Sequence, residues 1–204
     1  VEIPKSNGKT RLLGIPTVVD RWLQQAVSQQ LSSKFELHFD EQSYGFRPQR
    51  NQHKALDAVW VGINRKVSWV LDADIKGFFD NLDHKWLMKF LKHRIADPRM
   101  IRLIQKWLRA GVSEEGEWSE TVVGTPQGAV ISPLLANIYL HYVLDLWAVS
   151  WRREAKGEQI IVRYADDFVA GFQYKSEAER FLEALKTRMK KFGLELHDTK
   201  TKLI

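Results

Sequence analysis

The chain has 204 residues, and 44% of them are apolar, which is enough for a buried core in one domain or two subdomains. It has no cysteine, so disulfide bonds and thiolate metal sites are excluded. The net charge of +6 favours a polyanionic partner such as nucleic acid, with ordinary solubility charge as the alternative interpretation. The excess is concentrated in residues 61–110, where eleven basic side chains stand against five acidic ones.

The first residues predict a β-hairpin over 1–14, because Asn7-Gly8 is a strong signal for a tight turn. Lys5 and Arg11 lie on opposite arms of this hairpin. Both could reach a phosphate, or they could simply be exposed basic side chains. Because the sequence begins inside a predicted strand, further sequence is expected upstream.

Two helices are predicted after the hairpin. The first has Thr17 as its cap and runs over residues 17–35, and the second covers 52–63. A compact loop at 42–48 connects them, with Arg47 between an aromatic residue and a proline.

Residues 67–75 alternate in a way that predicts a strand. Asp72 and Asp74 share one face of it, because side chains on a strand repeat every two residues. A bend at 76–80 follows, and then two basic helices over 83–94 and 98–109. The second of these has a clear start, with Asp97 as its cap.

A strand over 118–123 leads into a glycine-rich loop at 124–128, after which Ser132 begins a long helix. Its polar residues Asn137, His141 and Asp145 are spaced by four and form one stripe. This pattern is typical of an amphipathic core helix and argues against a membrane span.

A second hairpin is predicted over 160–172, with Asp166 and Asp167 at its tight connection. Residues 176–179 read as a capping box that opens a helix ending near residue 192, before Gly193. A short strand is predicted at 194–196.

The adjacent carboxylates of this hairpin carry the chemical argument. Like charges repel and an unpaired carboxylate is costly to bury, so a divalent cation is the simplest reason to keep the pair. The alternative is a solvated turn, since aspartate is common in turns. If Asp74 meets Asp166 and Asp167, three carboxylates would form a two-metal site for phosphoryl transfer.

The order of the elements predicts an α+β fold with helices packed on one face of an antiparallel sheet. Together the motifs resemble the right-hand fingers and palm of reverse transcriptases, above all those encoded by group II introns. The resemblance rests on runs that occur in order along the chain: Pro4-Lys5 through Arg11 with Leu13-Gly14-Ile15-Pro16-Thr17 and Asp20-Arg21, Ser43-Tyr44-Gly45-Phe46-Arg47-Pro48, Asp72-Ala73-Asp74-Ile75-Lys76-Gly77-Phe78-Phe79-Asp80, Gly124-Thr125-Pro126-Gln127-Gly128 with Ser132-Pro133-Leu134-Leu135-Ala136-Asn137, Tyr164-Ala165-Asp166-Asp167, and Gly193-Leu194 with Lys200-Thr201-Lys202.

The resemblance implies a role for each matching residue. Asp74, Asp166 and Asp167 match the catalytic carboxylates that bind two Mg²⁺ ions, for which Mn²⁺ could substitute. The carbonyl of Ile75 would complete the shell of one ion. Lys200 matches a lysine suspected of protonating pyrophosphate.

Other matches imply contacts with substrates. Lys5, Arg11 and Gln127 match residues that hold the incoming nucleotide, and Phe79, with Phe78 as the second choice, matches the aromatic that rejects a ribose 2′-OH. Contacts with nucleic acid are expected from Arg47, Gly128 and Tyr164.

The resemblance also implies a domain division. Residues 1–66 would form the fingers, truncated at the N-terminus, and residues 67–204 the palm with interleaved fingers helices. A primer grip and a helical thumb, absent here, are expected to follow. Ala129 stands where many relatives have a second glycine, and little effect is expected from it.

The implied function is RNA-directed DNA synthesis from an RNA template, a DNA primer and dNTPs, with intron RNA as a further partner. A homodimer is an option, no membrane is expected, and the location would be the bacterial cytoplasm or an organelle. Alternatives are a maturase that binds RNA and assists splicing, or a CRISPR-associated, retron or diversity-generating reverse transcriptase. The Phe78-Phe79 pair disfavours an RNA-dependent RNA polymerase, which must accept the 2′-OH.

Overall fold

The computed structural model describes residues 2–4, 10–12, 14–110, 112–114, 117–119, 123–125 and 128–204. Its strands are β1 (Glu2–Pro4), β2 (Thr10–Leu12), β3 (Trp69–Asp74), β4 (Val112–Glu114), β5 (Glu117–Ser119), β6 (Gln159–Tyr164), β7 (Asp167–Phe172) and β8 (Lys202–Leu203). Its helices are α1 (Val18–Phe35), α2 (Gln52–Ile63), α3 (Phe78–Asn81), α4 (His84–Lys92), α5 (Pro98–Arg109), α6 (Ser132–Leu140), α7 (Leu146–Glu154) and α8 (Lys175–Lys191). A π-helical turn, His141–Asp145, joins α6 to α7.

A four-stranded antiparallel sheet organises the fold, with strand order β6-β7-β3-β8. The register pairs Asp74 with Asp167 and Asp167 with Tyr164. These three residues therefore form one row across one end of the sheet, on the same face. The predicted α+β architecture with an antiparallel sheet is confirmed.

One face of this sheet is the core face. Leu71 and Ala73 of β3 and Phe168 and Ala170 of β7 lie buried on it. Helix α8 packs against β3 and β7 and adds apolar side chains such as Phe181, which contacts Phe172. Burying this apolar surface stabilises the sheet and fixes which face is left for the polar residues.

The opposite face is divided between helix and solvent. Helix α2 covers its far end, where Gly62 approaches so closely that an added Cβ would lie 2.1 Å from the side chain of Ile160. The near end carries Asp72, Asp74 and Asp167, of which Asp72 and Asp167 are exposed. Helices thus contact both faces, and the acidic row lies where the second face is open.

Two of the three predicted helix caps are confirmed. The backbone N–H of Asp20 donates to Oγ1 of Thr17 at 3.1 Å, and that of Arg99 donates to Oδ1 of Asp97 at 2.8 Å. The capping box at residues 176–179 is wrong, because α8 begins at Lys175 and its cap residue Tyr174 makes no side-chain cap hydrogen bond.

Several predicted elements take a different form. The bend at 76–80 contains the short helix α3, which begins after Gly77 in the left-handed region at φ 54°. The strand expected at 194–196 is a single bridge between Leu196 and Ile75, and the edge of the sheet is completed instead by β8. The strand expected at 118–123 is β5, and residues 120–122 lie outside the described part of the chain.

The polar stripe of the long helix lies inside the protein. Asn137, His141 and Asp145 are 1%, 4% and 6% exposed. The helix is also not continuous, because the π-helical turn interrupts it at His141–Asp145. No helix in the described residues is both long and apolar enough to cross a membrane.

Candidate active site

The tight turn of the β6–β7 hairpin carries the two adjacent carboxylates. Strand β6 ends at Tyr164 and β7 begins at Asp167, so the turn consists of Ala165 and Asp166. Ala165 has a φ of 58°, in a region that non-glycine residues adopt uncommonly. The surrounding structure must therefore hold this turn in its conformation.

The neighbouring strand supplies the third carboxylate. Asp74 ends β3 and is the cross-strand partner of Asp167, with its side chain on the same face. Lys200 reaches Asp74 from the segment before β8, and its Nζ donates a hydrogen bond of 2.6 Å to Oδ2 of Asp74. The end of the sheet thus brings together three predicted catalytic residues from distant parts of the sequence.

The charges at this end of the sheet are not balanced. The surrounding protein desolvates the carboxylate of Asp167, and together with the negative charge of Asp74 this raises the pKa of Asp167 above its ordinary value. The hydrogen bond to Asp74, followed by its charge, raises the pKa of Lys200. Asp166 adds to this negative potential at Lys200. The site therefore attracts cations.

The donor atoms present suit a hard divalent cation. Asp74 and Asp167 offer carboxylate oxygens side by side, and they repel one another unless a cation lies between or beside them. The ammonium group of Lys200 already occupies such a cationic position against Asp74. Within the described residues, no three histidine, aspartate or glutamate side chains stand together as a ready metal cluster. The structure pairs Asp74 with Asp167, and Asp166 remains in the turn.

The backbone beside Asp74 is pinned by the segment that precedes Lys200. The N–H of His197 donates to the carbonyl of Asp74 at 2.8 Å, and the N–H of Lys76 donates to that of Glu195 at 2.9 Å. These two bonds flank Ile75 and do not use its carbonyl. The predicted role of Ile75 as a backbone ligand stays a prediction.

The two phenylalanines after the bend lie in different environments. Phe78 is 2% exposed and its ring meets that of Tyr139 edge-on at 6.3 Å. Phe79 is half-buried, and its carbonyl accepts a hydrogen bond of 2.7 Å from the N–H of Thr125 in the glycine-rich loop. The enclosed ring of Phe78 favours a role in the core, and its contact with the nucleotide stays a prediction. Phe79 remains the candidate for the sugar contact.

The glycine-rich loop also approaches this bend closely. An added Cβ on Gly124 would lie 2.8 Å from the carbonyl oxygens of both Phe79 and Asp80, so only glycine fits there. The ring of His84 contacts the carbonyl of Gly124 from the start of α4. Gly124 and Thr125 are therefore fixed beside Phe79, in the segment that follows Asp74 of the acidic row.

Comparison with known proteins decides the family. A family model described as reverse transcriptase (RNA-dependent DNA polymerase) matches residues 3–204 of the chain. The chain belongs to the reverse transcriptase family. Members of this family use divalent metal ions in general, in agreement with the oxygen donors at the end of the sheet.

Relatives among characterised sequences confirm the resemblance to group II intron-encoded reverse transcriptases. The chain is 46% identical over 146 residues to group II intron-encoded protein LtrA of Lactococcus lactis subsp. cremoris, which covers 70% of this chain and 24% of LtrA. It is 38% identical over 199 residues to protein YkfC of Escherichia coli strain K12, which covers 83% of this chain and 52% of YkfC. The chain thus spans only part of the length of these relatives.

Solved structures confirm the fold. The chain superposes on telomerase from Candida tropicalis, solved in complex with a TWJ fragment of telomeric RNA, with a TM-score of 0.79. The match covers 100% of this chain and 40% of the telomerase at 15% sequence identity. This likeness supports the fingers and palm architecture of a reverse transcriptase.

The structure does not test some of the predicted site residues. Lys5 and Gln127 lie outside the described residues, and of Arg11 only the backbone in β2 is described. Gly128 is exposed with a φ of 103°, and Tyr164 is 37% exposed at the end of the acidic row. Their roles in binding nucleotide or nucleic acid stay predictions.

Arg47 lies inside the protein rather than on its surface. Its side chain is buried, and its Nε and Nη2 donate to the carboxylate of Glu36 at 3.1 and 2.7 Å. Its Nη1 donates to the carbonyls of Asp40 and Ser43. With these donors engaged inside the protein, Arg47 stabilises the loop at 42–48. Its contact with nucleic acid stays a prediction.

The sequence reasoning also missed Arg163, which directly precedes Tyr164. The only sequence signal for the burial of Arg163 is the alternation of side chains along a strand. A residue next to Tyr164 must point to the opposite, buried face of the sheet. Arg163 is 1% exposed and is the largest fully buried side chain among the described residues.

The raised pKa of Asp167 predicts a pH-dependent effect of Asp167→Asn on stability. When a carboxyl has a higher pKa in the folded state than in the unfolded state, the protein becomes less stable as the pH rises. The stability is lost between the ordinary pKa of the carboxyl, about 4, and its raised pKa in the folded state. Without divalent cations, the variant should therefore melt at a higher temperature than wild type at pH 7. Because Asp167 is exposed, screening keeps the gain below about 1 kcal/mol.

Thermal melts in EDTA between pH 4 and 8 measure this effect. The two proteins should converge as the pH falls towards 4, because the wild-type carboxyl becomes increasingly protonated in both the folded and the unfolded state. A variant that melts below wild type at pH 7 would show that the ionised carboxylate is stabilised rather than penalised.

Proposed function

We propose that the chain carries the catalytic centre of an RNA-directed DNA polymerase that adds deoxynucleotides to a primer 3′-OH. The observation that carries the proposal is the row at the end of the sheet, where Asp74 lies opposite Asp167 and Lys200 donates to Asp74. These groups lie on the open part of a palm-like sheet, where a primer end and a triphosphate have access.

In this proposal Asp74 and Asp167, with Asp166 from the adjoining turn, hold two Mg²⁺ ions, for which Mn²⁺ could substitute. When bound, the ions supply positive charge that stabilises the attacking and leaving oxygens of an in-line displacement. The protein's part is to aim the carboxylate oxygens, which the cross-strand pairing of β3 and β7 fixes. The carbonyl of Ile75 would be a further oxygen ligand.

Lys200 would act as the proton donor. Its hydrogen bond to Asp74 keeps the ammonium form, and this form can give a proton to a leaving oxygen. Its side chain is largely exposed, at 63%, so it can turn from Asp74 towards a bound triphosphate. Lys5, Arg11 and Gln127 would hold that nucleotide, and Phe79 would face its sugar.

The partners proposed are an RNA template, a DNA primer, dNTPs and intron RNA. Residues 1–66 would serve as fingers and residues 67–204 as palm, and the protein would act in the bacterial cytoplasm or an organelle. The described surface has a feature that suits such a partner, a groove of about 300 Å³ between α4 and α5. The groove is lined by four basic side chains and, among the described residues, by no acidic one: Lys85, Lys89, Lys92 and Arg109 line it together with His84, Met88, Gln105 and Leu108.

Removing charge from this groove should weaken RNA binding in a salt-dependent way. Replacing Lys85 and Lys92 by Gln should lower the slope of log Kd against log salt by roughly 1 to 2, because each phosphate contact releases counterions. The control replaces Lys175 and Lys186 of α8, which form exposed ion pairs with Glu179 and Glu183.

Fluorescence anisotropy with a labelled RNA at several salt concentrations measures both slopes. The two double variants remove the same charge. Equal slopes in the two would mean that the groove contributes only to the net charge of the protein and does not bind the backbone.

The proposed function is tested by primer extension on an RNA template with variants of the three carboxylates. Loss of extension with retained RNA binding is the expected result.

A further inference from the structure

A buried arginine lies directly beneath the catalytic hairpin. Arg163 belongs to β6, next to Tyr164, but its side chain points to the core face and is 1% exposed. Arginine is rarely buried unless it is paired, because removing a guanidinium from water is costly. The hydrogen-bond partners of Arg163 therefore show which segments its side chain holds together.

The guanidinium of Arg163 joins three separate segments. Its Nε and Nη2 donate to the two carboxylate oxygens of Asp145 at 2.8 and 2.6 Å. Its Nη1 donates at 2.9 Å to Oδ1 of Asn137 and at 2.8 Å to the carbonyl of Ala165. The last bond ends on the turn residue between Tyr164 and the catalytic carboxylates.

The main chain of Arg163 is fixed by the loop at 42–48. Its N–H donates to the carbonyl of Gln42 at 2.9 Å, and its carbonyl accepts from the N–H of Tyr44 at 2.8 Å. The amide of Asn137 donates to the carbonyl of Gly45 at 2.7 Å. The same asparagine thus holds both the arginine and this loop.

The loop in turn supports the hairpin turn. An added Cβ on Gly45 would lie 2.3 Å from the backbone nitrogen of Ala165, so the two backbones are in direct contact. Ala165 keeps its positive φ between this contact on one side and the guanidinium of Arg163 on the other. Alanine alone would not favour this positive φ, so the residues that contact Ala165 impose the conformation of the turn.

The π-helical turn explains how Asn137 and Asp145 reach the same arginine. In an α-helix residues four apart drift by about 40° around the axis, so Asp145 would drift well away from Asn137 over eight residues. A π-turn is wider and rotates less per residue, which reverses the drift. The turn at His141–Asp145 brings Asp145 back over Asn137.

The network carries one balanced ion pair. His141 lies 4.0 Å from Asp145, but burial lowers the pKa of His141, so its ring is neutral at pH 7 and leaves Arg163 as the cation. An ion pair enclosed in this way is costly to form, and hydrophobic residues of similar size could replace it in a core that needed only stability. Its retention points to a requirement for a defined geometry.

We propose that Arg163 is a positioning residue for the catalytic carboxylates, itself set by Asp145 and Asn137. By fixing the carbonyl of Ala165, it determines where Asp166 and Asp167 stand relative to Asp74, and so how tightly the end of the sheet binds divalent cations. The inference rests on the proposed function, because it concerns the same carboxylates. It adds a set of residues that touches neither nucleotide nor nucleic acid.

Arg163→Lys tests this role in the whole protein. Lysine keeps the charge but cannot donate to Asp145, Asn137 and Ala165 together, because it lacks the planar fork. The control is Arg188→Lys on α8. Arg188 also donates through Nε and Nη2, to the carbonyls of Val143 and Tyr142 in the same π-helical turn, but it has no bond to the hairpin.

Direct Mn²⁺ binding, followed by electron paramagnetic resonance, is the first readout. We expect Arg163→Lys to weaken Mn²⁺ binding and to raise the Mg²⁺ concentration for half-maximal extension, each by roughly tenfold, since small misplacements of catalytic groups are costly. Affinity for primer and template should stay within about twofold. Arg188→Lys should leave metal binding unchanged even where both variants melt at lower temperature.

A second variant covers the case in which Arg163→Lys does not fold. Asn137→Ala keeps the ion pair and removes the bonds to Gly45 and Arg163, so a smaller shift in the same direction is expected. If folded Arg163→Lys, or Asn137→Ala in its place, binds Mn²⁺ as wild type does, the positioning role is wrong. A wild-type protein that neither binds Mn²⁺ nor extends primers would instead overturn the proposed function.

Discussion

Asp167→Asn and Asp166→Asn are each expected to abolish primer extension on an RNA template with Mg²⁺. Losing a carboxylate ligand removes several kcal/mol of transition-state stabilisation, and each 1.4 kcal/mol is a factor of ten, so the loss should reach roughly a thousandfold or more. RNA binding should persist, because the basic groove between α4 and α5 is a separate surface. Steady-state extension and RNA anisotropy on the same preparations measure the two properties.

Asp72→Asn is the matched control for this experiment. Asp72 lies on the same strand and face as Asp74, but its cross-strand partners are Val169 and Lys202 rather than a second carboxylate. The Asp72→Asn variant should keep most of the primer-extension activity of wild type. Near wild-type extension by either hairpin variant would overturn the metal-site assignment. Splicing assistance that survives in inactive variants would reveal a maturase role independent of polymerisation.

The elements set by local sequence are the ones that could be predicted. Helix α5 occupies the range expected for it, because Asp97, Pro98 and the residues after Arg109 define its ends within a few residues. The acidic row could also be anticipated, since the two-residue period of a strand fixes the face of Asp74 and a tight hairpin fixes that of Asp167. In these cases the sequence signals are local: the residues at the ends of a helix, the alternation along a strand and the two-residue turn of a hairpin.

The predictions are less accurate where residues distant in sequence determine the surroundings of a side chain. Arg47 looks like a free cation in sequence, but Glu36 lies eleven residues earlier and takes its guanidinium. Asn137 and Asp145 look like the polar side of an amphipathic helix, and the partner that buries them, Arg163, comes from another strand. Polar residues at helical spacing do not reveal whether water or a buried arginine will satisfy them.

The sheet edge shows the same limit. Leu196 and its neighbours look like a strand, but they make one bridge to Ile75, and the pairing with β3 is made by Lys202–Leu203. The short apolar run at 194–196 predicts extended backbone. Which of the following residues pair with β3 depends on where the preceding helix α8 ends. This register is what places Lys200 against Asp74.

Phe79→Val is expected to raise ribonucleotide incorporation and to leave deoxynucleotide extension mostly intact. Phe79 follows Asp74 by five residues, beyond the bend at Gly77, and Asp74 is the carboxylate that would hold the metal and the triphosphate. The ring of Phe79 is half-buried rather than enclosed. A rigid ring there would leave no room for a 2′-OH and would offer it no hydrogen-bond partner, so the clash would exclude ribonucleotides. Removing it should relax sugar discrimination by roughly ten- to a hundredfold.

Phe78→Val is the matched control, because the neighbouring ring is 2% exposed and packs between Phe79 and Tyr139. This variant should lose roughly 2–4 kcal/mol of folding free energy, as large-to-small changes in a core do, with sugar preference unchanged. Single-nucleotide incorporation with both sugars, measured beside thermal melts, separates the two residues. If Phe78→Val admits ribonucleotides and Phe79→Val only lowers the melting temperature, the sugar contact is made from the position that the structure places in the core, and the nucleotide must approach the bend from its other side.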